Sequence, residues 1–132
     1  MKASNKIFMA DDDQDDWLVI GEAMNEVDPD VELVFAQNGE ELVTMLNKHH
    51  SDHNLPSLII LDMNMPRLTG TQTLQRIKGD DRFKNIPVII YSTSVNAIEK
   101  TKCFELGAID YLSKPMSFSE SIEIARTMRE VF

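Results

Sequence analysis

Residues 57–66 read SLIILDMNMP. Leu58, Ile59, Ile60 and Leu61 are apolar without alternation, the pattern of a central parallel strand covered on both faces rather than of a strand with one wet face. The run ends on Asp62. A carboxylate where a buried strand emerges is not there for packing, so it is either paired or functional. In an open α/β sheet the carboxyl edge is where ligands bind. Pro66 stops the strand, and Asn64 and Gly70 bring turn chemistry into a loop that has to pass close to Asp62.

The same pattern repeats on either side. KIFMA (residues 6–10) is long enough for a strand and too short for a helix, and an acidic run follows it: Asp11, Asp12, Asp13, Asp15 and Asp16. Acids suit a helix N-terminus, where they cap free amides and complement the dipole, and this is the reading given to Asp13, Asp15 and Asp16. Asp11 and Asp12 precede the helix at a strand end, a position that favours function. Ile20, Ala23, Met24 and Val27 share one helical face, with Trp17 at its edge and Leu18 nearly opposite and partly exposed. Asp28 and Pro29 end the helix.

VELVFA (31–36) is a second strand, and Asn38 with Gly39 opens a helix with Leu42, Met45 and Leu46 inward. Residues 49–55 read as a polar loop in which His49 and His53 are solvated. Thr69 is placed to cap a short helix running through Leu74 and Ile77, and GDDRFKN (79–85) reads as a solvated connection. IPVIIY (86–91) is a fourth buried strand. A hydroxyl-rich turn of Ser92, Thr93 and Ser94 follows, then a helix over 96–106 that carries Cys103 as a packing residue and ends on Gly107 in a left-handed cap. Residues 108–112 form a fifth strand. Ser117 and Glu120 have capping-box spacing for a last helix with Phe118, Ile122, Ala125, Met128 and Phe132 along one side. Five strands alternating with five helices predict an α/β fold: a doubly wound, parallel five-stranded sheet over one domain, residues 1–132.

Composition narrows the function. A net charge of -9 with only 13 basic residues supplies no basic patch for nucleic acid or an anionic membrane surface, so partners are proteins or cations. The single cysteine can form no internal disulfide, and no signal-like or membrane-length segment stands at either end, so a cytoplasmic protein is expected.

The carboxyl ends of strands one, three, four and five can converge on one rim, bringing Asp11, Asp12, Asp62, Ser92 and Lys114 together. Three carboxylates in such a space repel one another by roughly 4 kcal/mol per pair at an effective dielectric of about 20. Lys114 answers part of that charge, and a hard dication such as Mg²⁺, held by carboxylates, a carbonyl and waters, answers the rest. This is a setting for phosphoryl transfer with a carboxylate as nucleophile, giving an aspartyl phosphate.

The acidic pair after the first strand, LDMNMPRLTG (61–70), the hydroxyl after IPVIIY and YLSKP (111–115) together resemble the receiver domain of two-component response regulators over nearly the whole chain. IKGDDRFKNIPVIIYSTS (77–94) further resembles the stand-alone regulators associated with bacterial phytochromes. The resemblance implies a CheY-like, flavodoxin-like strand order of 2-1-3-4-5. It implies that Asp62 accepts a phosphoryl group from a sensor histidine kinase or phosphotransfer protein. Asp12 and Asp62 would ligate Mg²⁺ directly, Asp11 mainly through water, and Asn64 through its backbone carbonyl. Lys114 would pair with phosphoryl oxygens, oriented by a cis bond to Pro115. Ser92 and Tyr111 would form the switch, and Asn64 and Ser94 would tune dephosphorylation. A downstream protein partner, or a second copy in a homodimer, would read the fourth helix, fifth strand and fifth helix. Self-phosphorylation and self-dephosphorylation would be its only chemistry.

Other functional classes fit less well. Asp11, Asp13, Asp15 and Glu22 fall at EF-hand positions one, three, five and twelve, but position six needs glycine and is Asp16. An aspartyl-phosphate phosphatase would place a second acid where Asn64 stands. A flavodoxin needs a neutral phosphate loop after the first strand, where this chain is acidic.

Overall fold

The computed structural model describes residues 5–93 and 96–132. Five strands and five helices alternate: β1 Lys6–Ala10, α1 Gln14–Val27, β2 Glu32–Ala36, α2 Gly39–Ser51, β3 Leu58–Asp62, α3 Gly70–Lys78, β4 Val88–Ser92, α4 Ala97–Glu105, β5 Asp110–Ser113 and α5 Phe118–Arg129. All strand pairs are parallel and the order is β2-β1-β3-β4-β5, as the resemblance implied. The chain reverses direction across the sheet between β1 and β3, which opens a crevice at the carboxyl edge there.

β1, β3 and β4 are buried along their whole length, which is why their sequences show no polar alternation. One face packs Ile20, Ala23 and Met24 of α1 with Ala125 and Met128 of α5 against Ile7, Met9, Ile60 and Ile89. The other packs Leu42 and Leu46 of α2, Leu74 and Ile77 of α3 and Cys103 of α4 against Phe8, Ile59, Leu61 and Ile90. Arg129 Nε donates to Asp28 Oδ2 at 2.7 Å and fastens the end of α5 to the end of α1.

Local signals operate as read. Asn38 accepts from the amide of Glu41, and Thr69 and Gln72 form a reciprocal capping box. Gly107 sits at φ +108 after α4. Leu18 is 65% exposed.

Four expectations need correcting. α2 continues through Ser51, so His49 is helical and half-buried, its ring edge-on to Phe8 at 4.8 Å; an aromatic partner in the core outweighs the polar neighbours that suggested a loop. Phe83 is buried in the α2–α3 layer, because the 79–85 connection folds into turns that tuck its one large apolar side chain inward. Phe118 is 55% exposed, lying in the first turn of α5 before the helix reaches the sheet. Ser117 does accept from the Glu120 amide, but the Glu120 carboxylate takes the amide of Met116, so the box is displaced by one residue.

Candidate functional site

The amide of Asp11 donates to the carbonyl of Ala36 at 3.0 Å, which extends the β1–β2 ladder by one residue and leaves the Asp11 side chain fully buried. Its Oδ1 accepts from the amide of Asp13 at 2.9 Å, and Asp13 in turn caps α1 by accepting from the Asp15 amide. Trp17, one turn into α1, donates its indole N–H to the Asp11 carbonyl at 2.9 Å and stacks on Phe35. This continuous capped helix leaves no calcium-binding loop between Asp11 and Glu22, and the EF-hand reading falls with it.

Asp62 closes β3 opposite Tyr91 of β4 and is 4% exposed. The Asn64 amide lies 3.4 Å from its Oδ1. Asp12 is exposed, yet one carboxylate oxygen from each of Asp11, Asp12 and Asp62 lies within 4.8 Å of the other two. Lys114 enters from the far end of β5, where its backbone amide donates to the Ser92 carbonyl at 2.8 Å. Its Nζ stands 2.6 Å from Asp16 Oδ2, 3.1 Å from Asp11 Oδ2 and 3.5 Å from Asp62 Oδ2, and 5.6 Å from the centre of the Tyr91 ring. Ser92 is buried at the end of β4, and its side chain acts on Tyr111, itself buried in the α4-side core, against the burial that raises the tyrosine.

The electrostatics follow from this crowding. Burial, and then the neighbouring Asp16 carboxyl and repulsion from Asp62, push the Asp11 carboxyl up to about 7 against the pull of the Asp13 amide and Lys114. Burial also raises Asp62, with Lys114 and the Asn64 amide opposing. Burial works against the Lys114 ammonium, but the adjoining Asp16 and Asp11 carboxylates overcome it and hold the charge. Four carboxylates, of Asp11, Asp12, Asp16 and Asp62, thus face the one ammonium of Lys114. Asp11 Oδ2 is buried without a well-formed hydrogen bond even though Lys114 is near. An oxygen-rich, under-compensated cluster with an exposed member fits a hard divalent cation.

Of the residues singled out in the sequence, Asp11, Asp12, Asp62 and Lys114 meet at one rim, and Ser92, which acts on Tyr111, ends the neighbouring strand β4. Ser94 lies outside the described residues. The Lys114–Pro115 bond is trans, since no peptide among the described residues is cis. Trans is the ordinary X–Pro state, and what aims the lysine is the Ser92 carbonyl on its backbone and three carboxylates on its ammonium. The sequence reading places Asp16 only in the helix cap. Its spacing from Ile20, Ala23 and Met24 puts it on the buried face of α1, and a charge on that face next to a strand end was the signal that it had a partner.

The profile of the response regulator receiver domain matches residues 7–126. The response regulator Rcp1 of Synechocystis is 27% identical over 122 residues, covering 91% of this chain and 83% of that protein. Histidine kinase P4 of Formosa agariphila is 35% identical over 91 residues, which are 69% of this chain but only 6% of that much longer protein. The crystal structure of the phosphorylated cyanobacterial phytochrome response regulator RcpA superposes with a TM-score of 0.87 at 31% identity, covering 97% of this chain and 93% of that one.

Proposed function

The chain belongs to the response regulator receiver domain family, and on that premise we propose that Asp62 is its phosphoacceptor, serving a sensor histidine kinase or a phosphotransfer protein. The observation that carries this reading is the meeting of Asp11, Asp12 and Asp62 within 4.8 Å beside the Lys114 ammonium. In the transfer, an Asp62 carboxylate oxygen forms a bond to phosphorus as the P–N bond of the donor phosphohistidine breaks. The electron pair of that bond returns to the imidazole, which takes up a proton. Asp11 and Asp12 with Asp62 would hold Mg²⁺, assisted by the Asn64 carbonyl. The ion, when bound, supplies positive charge that offsets the phosphoryl oxygens. Lys114 pairs with a phosphoryl oxygen from the β5 side.

Ser92 then donates to the phosphoryl group, exchanging its place beside Tyr111 for one at the site. That exchange changes how β4, α4 and β5 meet, and a downstream partner or a second copy reads the α4–β5–α5 surface. Residues 1–132 act as one receiver domain, in the cytoplasm, whose chemistry is confined to gaining and losing its own phosphoryl group. The described part of the chain has no helix long and apolar enough to cross a membrane. Likeness to RcpA supports a place among the stand-alone regulators that answer to phytochrome kinases.

The test is labelling by acetyl phosphate. Mg²⁺-dependent, acid-stable and base-labile incorporation in wild type, lost in Asp62→Asn, is the expected result; full labelling of Asp62→Asn would overturn the assignment.

A further inference from the structure

The carboxylate nearest the Lys114 ammonium is not that of Asp62. Asp16 Oδ2 is 2.6 Å from Nζ, in hydrogen-bond geometry, while Asp62 Oδ2 is 3.5 Å away. Asp16 belongs to the first turn of α1, and its side chain keeps about a fifth of its surface in contact with solvent. The ammonium lies over the Tyr91 ring, 5.6 Å from its centre. From this arrangement we infer that Asp16 is a positioning residue that holds the Lys114 ammonium toward α1 in the unphosphorylated protein and must release it when Asp62 carries a phosphoryl group.

This inference rests on the phosphoacceptor reading of Asp62 and adds a competition to it. An aspartyl phosphate carries more negative charge than the carboxylate it replaces, and its oxygens reach farther from β3 toward Nζ. The ammonium has three donors, and the shortest of its bonds, at 2.6 Å, goes to Asp16. Moving it to the phosphoryl group breaks the bond that ties the end of β5 to α1. Asp16 thereby sets how readily the phosphorylated state forms, and couples that state to the first turn of α1. The neighbouring Asp13 caps the helix and Asp15 is exposed, so neither can substitute.

The experiment compares wild type with Asp16→Asn, Asp16→Glu and the control Asp15→Asn. Without metal, the NMR signal of the Lys114 ε-methylene should move in Asp16→Asn, stay in Asp15→Asn, and return toward its wild-type position in Asp16→Glu. At saturating Mg²⁺, beryllofluoride binding followed by ¹⁹F NMR should be at least about threefold tighter in Asp16→Asn, with Asp16→Glu near wild type. In a Lys114→Met background the Asp16→Asn gain should vanish, because the effect is exerted through the lysine. An unmoved Lys114 signal, or Asp16→Asn binding beryllofluoride no tighter than a binding-competent wild type, overturns the inference alone. Persistence of the gain without Lys114 also overturns it. Wild type that takes up no beryllofluoride at all overturns the phosphoacceptor reading, and the inference falls with it.

Discussion

The backbone amide of Lys114 donates to the carbonyl of Ser92 at 2.8 Å. One rung beyond the regular β4–β5 pairing therefore carries both the ammonium of the acidic site and the buried Ser92 hydroxyl that acts on Tyr111. A pull on either side chain is transmitted to the same stretch of backbone, at the point where β4 passes into the turn before α4.

Ser92→Ala separates chemistry from switching. Removing one buried hydrogen-bonding hydroxyl should lower stability by about 1 kcal/mol in urea unfolding. Asp62 should still be labelled, because its charge partners are intact, but the Tyr111 ring signals should no longer shift when beryllofluoride binds. A Tyr111 shift of wild-type size in Ser92→Ala would remove Ser92 from the switch.

Metal affinity should discriminate between acids only three positions apart. Asp12 contributes an oxygen to the cluster, whereas Asp15 is exposed on α1. Asp12→Ala is expected to weaken Mg²⁺ binding by about tenfold or more, and Asp15→Ala by less than about twofold. Trp17 is the chain's one tryptophan and its indole is bonded to the Asp11 carbonyl, so its fluorescence can report the titration. Equal losses in the two variants would contradict the ligand assignment.

The sheet was legible because burial on both faces writes itself into unbroken apolar runs such as 58–61 and 86–91, and because helix caps are spelled locally at Asn38, Thr69 and Ser117. The rim was legible because acids and a lysine at strand ends have no packing reason to be there. What escaped were choices made by tertiary contact. Asp16 reads locally as one more acid in a helix first turn, and only the arrival of Lys114, 98 residues later, gives it another role. His49 and Phe83 sit in polar surroundings along the chain, and it is the core across α2 and α3 that draws them in.

Without a divalent ion the protein should lose stability as pH rises from about 4 to about 7. Asp11, raised by burial to about 7, and Asp62, also raised by burial, bind protons more tightly folded than unfolded in that window. The folded state is then the one that loses free energy on deprotonation, with a slope of up to about 1.4 kcal/mol per pH unit per group. Asp28 and Asp80 are shifted the other way, by Arg129 and Arg82, and their opposing slope is confined to below about pH 5, where the unfolded chain still binds protons at these acids. Urea midpoints in EDTA should be higher at pH 5 than at pH 7.5, the difference should shrink with Mg²⁺, and Asp11→Asn should flatten it. A midpoint in EDTA that rises over this range would refute the assignment of buried, under-compensated charge.

Two glycines in helices should respond in opposite directions to the same methyl group. At Gly70 a Cβ would lie 2.4 Å from the Asp62 carbonyl oxygen and 2.8 Å from Met63 Cα, and both obstacles are backbone. The start of α3 can make room only by pushing the strand end that carries Asp62, while the Gly70 amide is itself bonded to the Met63 carbonyl. Gly70→Ala should therefore cost about 2–4 kcal/mol in urea unfolding and, in the fraction that remains folded, slow acetyl phosphate labelling. At Gly21, inside α1, a Cβ meets nothing within 4 Å. Alanine there gains helix propensity and reduces the freedom of the unfolded chain, so Gly21→Ala should stabilise by about 0.5–1 kcal/mol and leave labelling unchanged. If Gly70→Ala proved as stable as wild type, or left the labelling rate untouched, the close passage of α3 behind the acceptor strand would not be what fixes Asp62 at the rim.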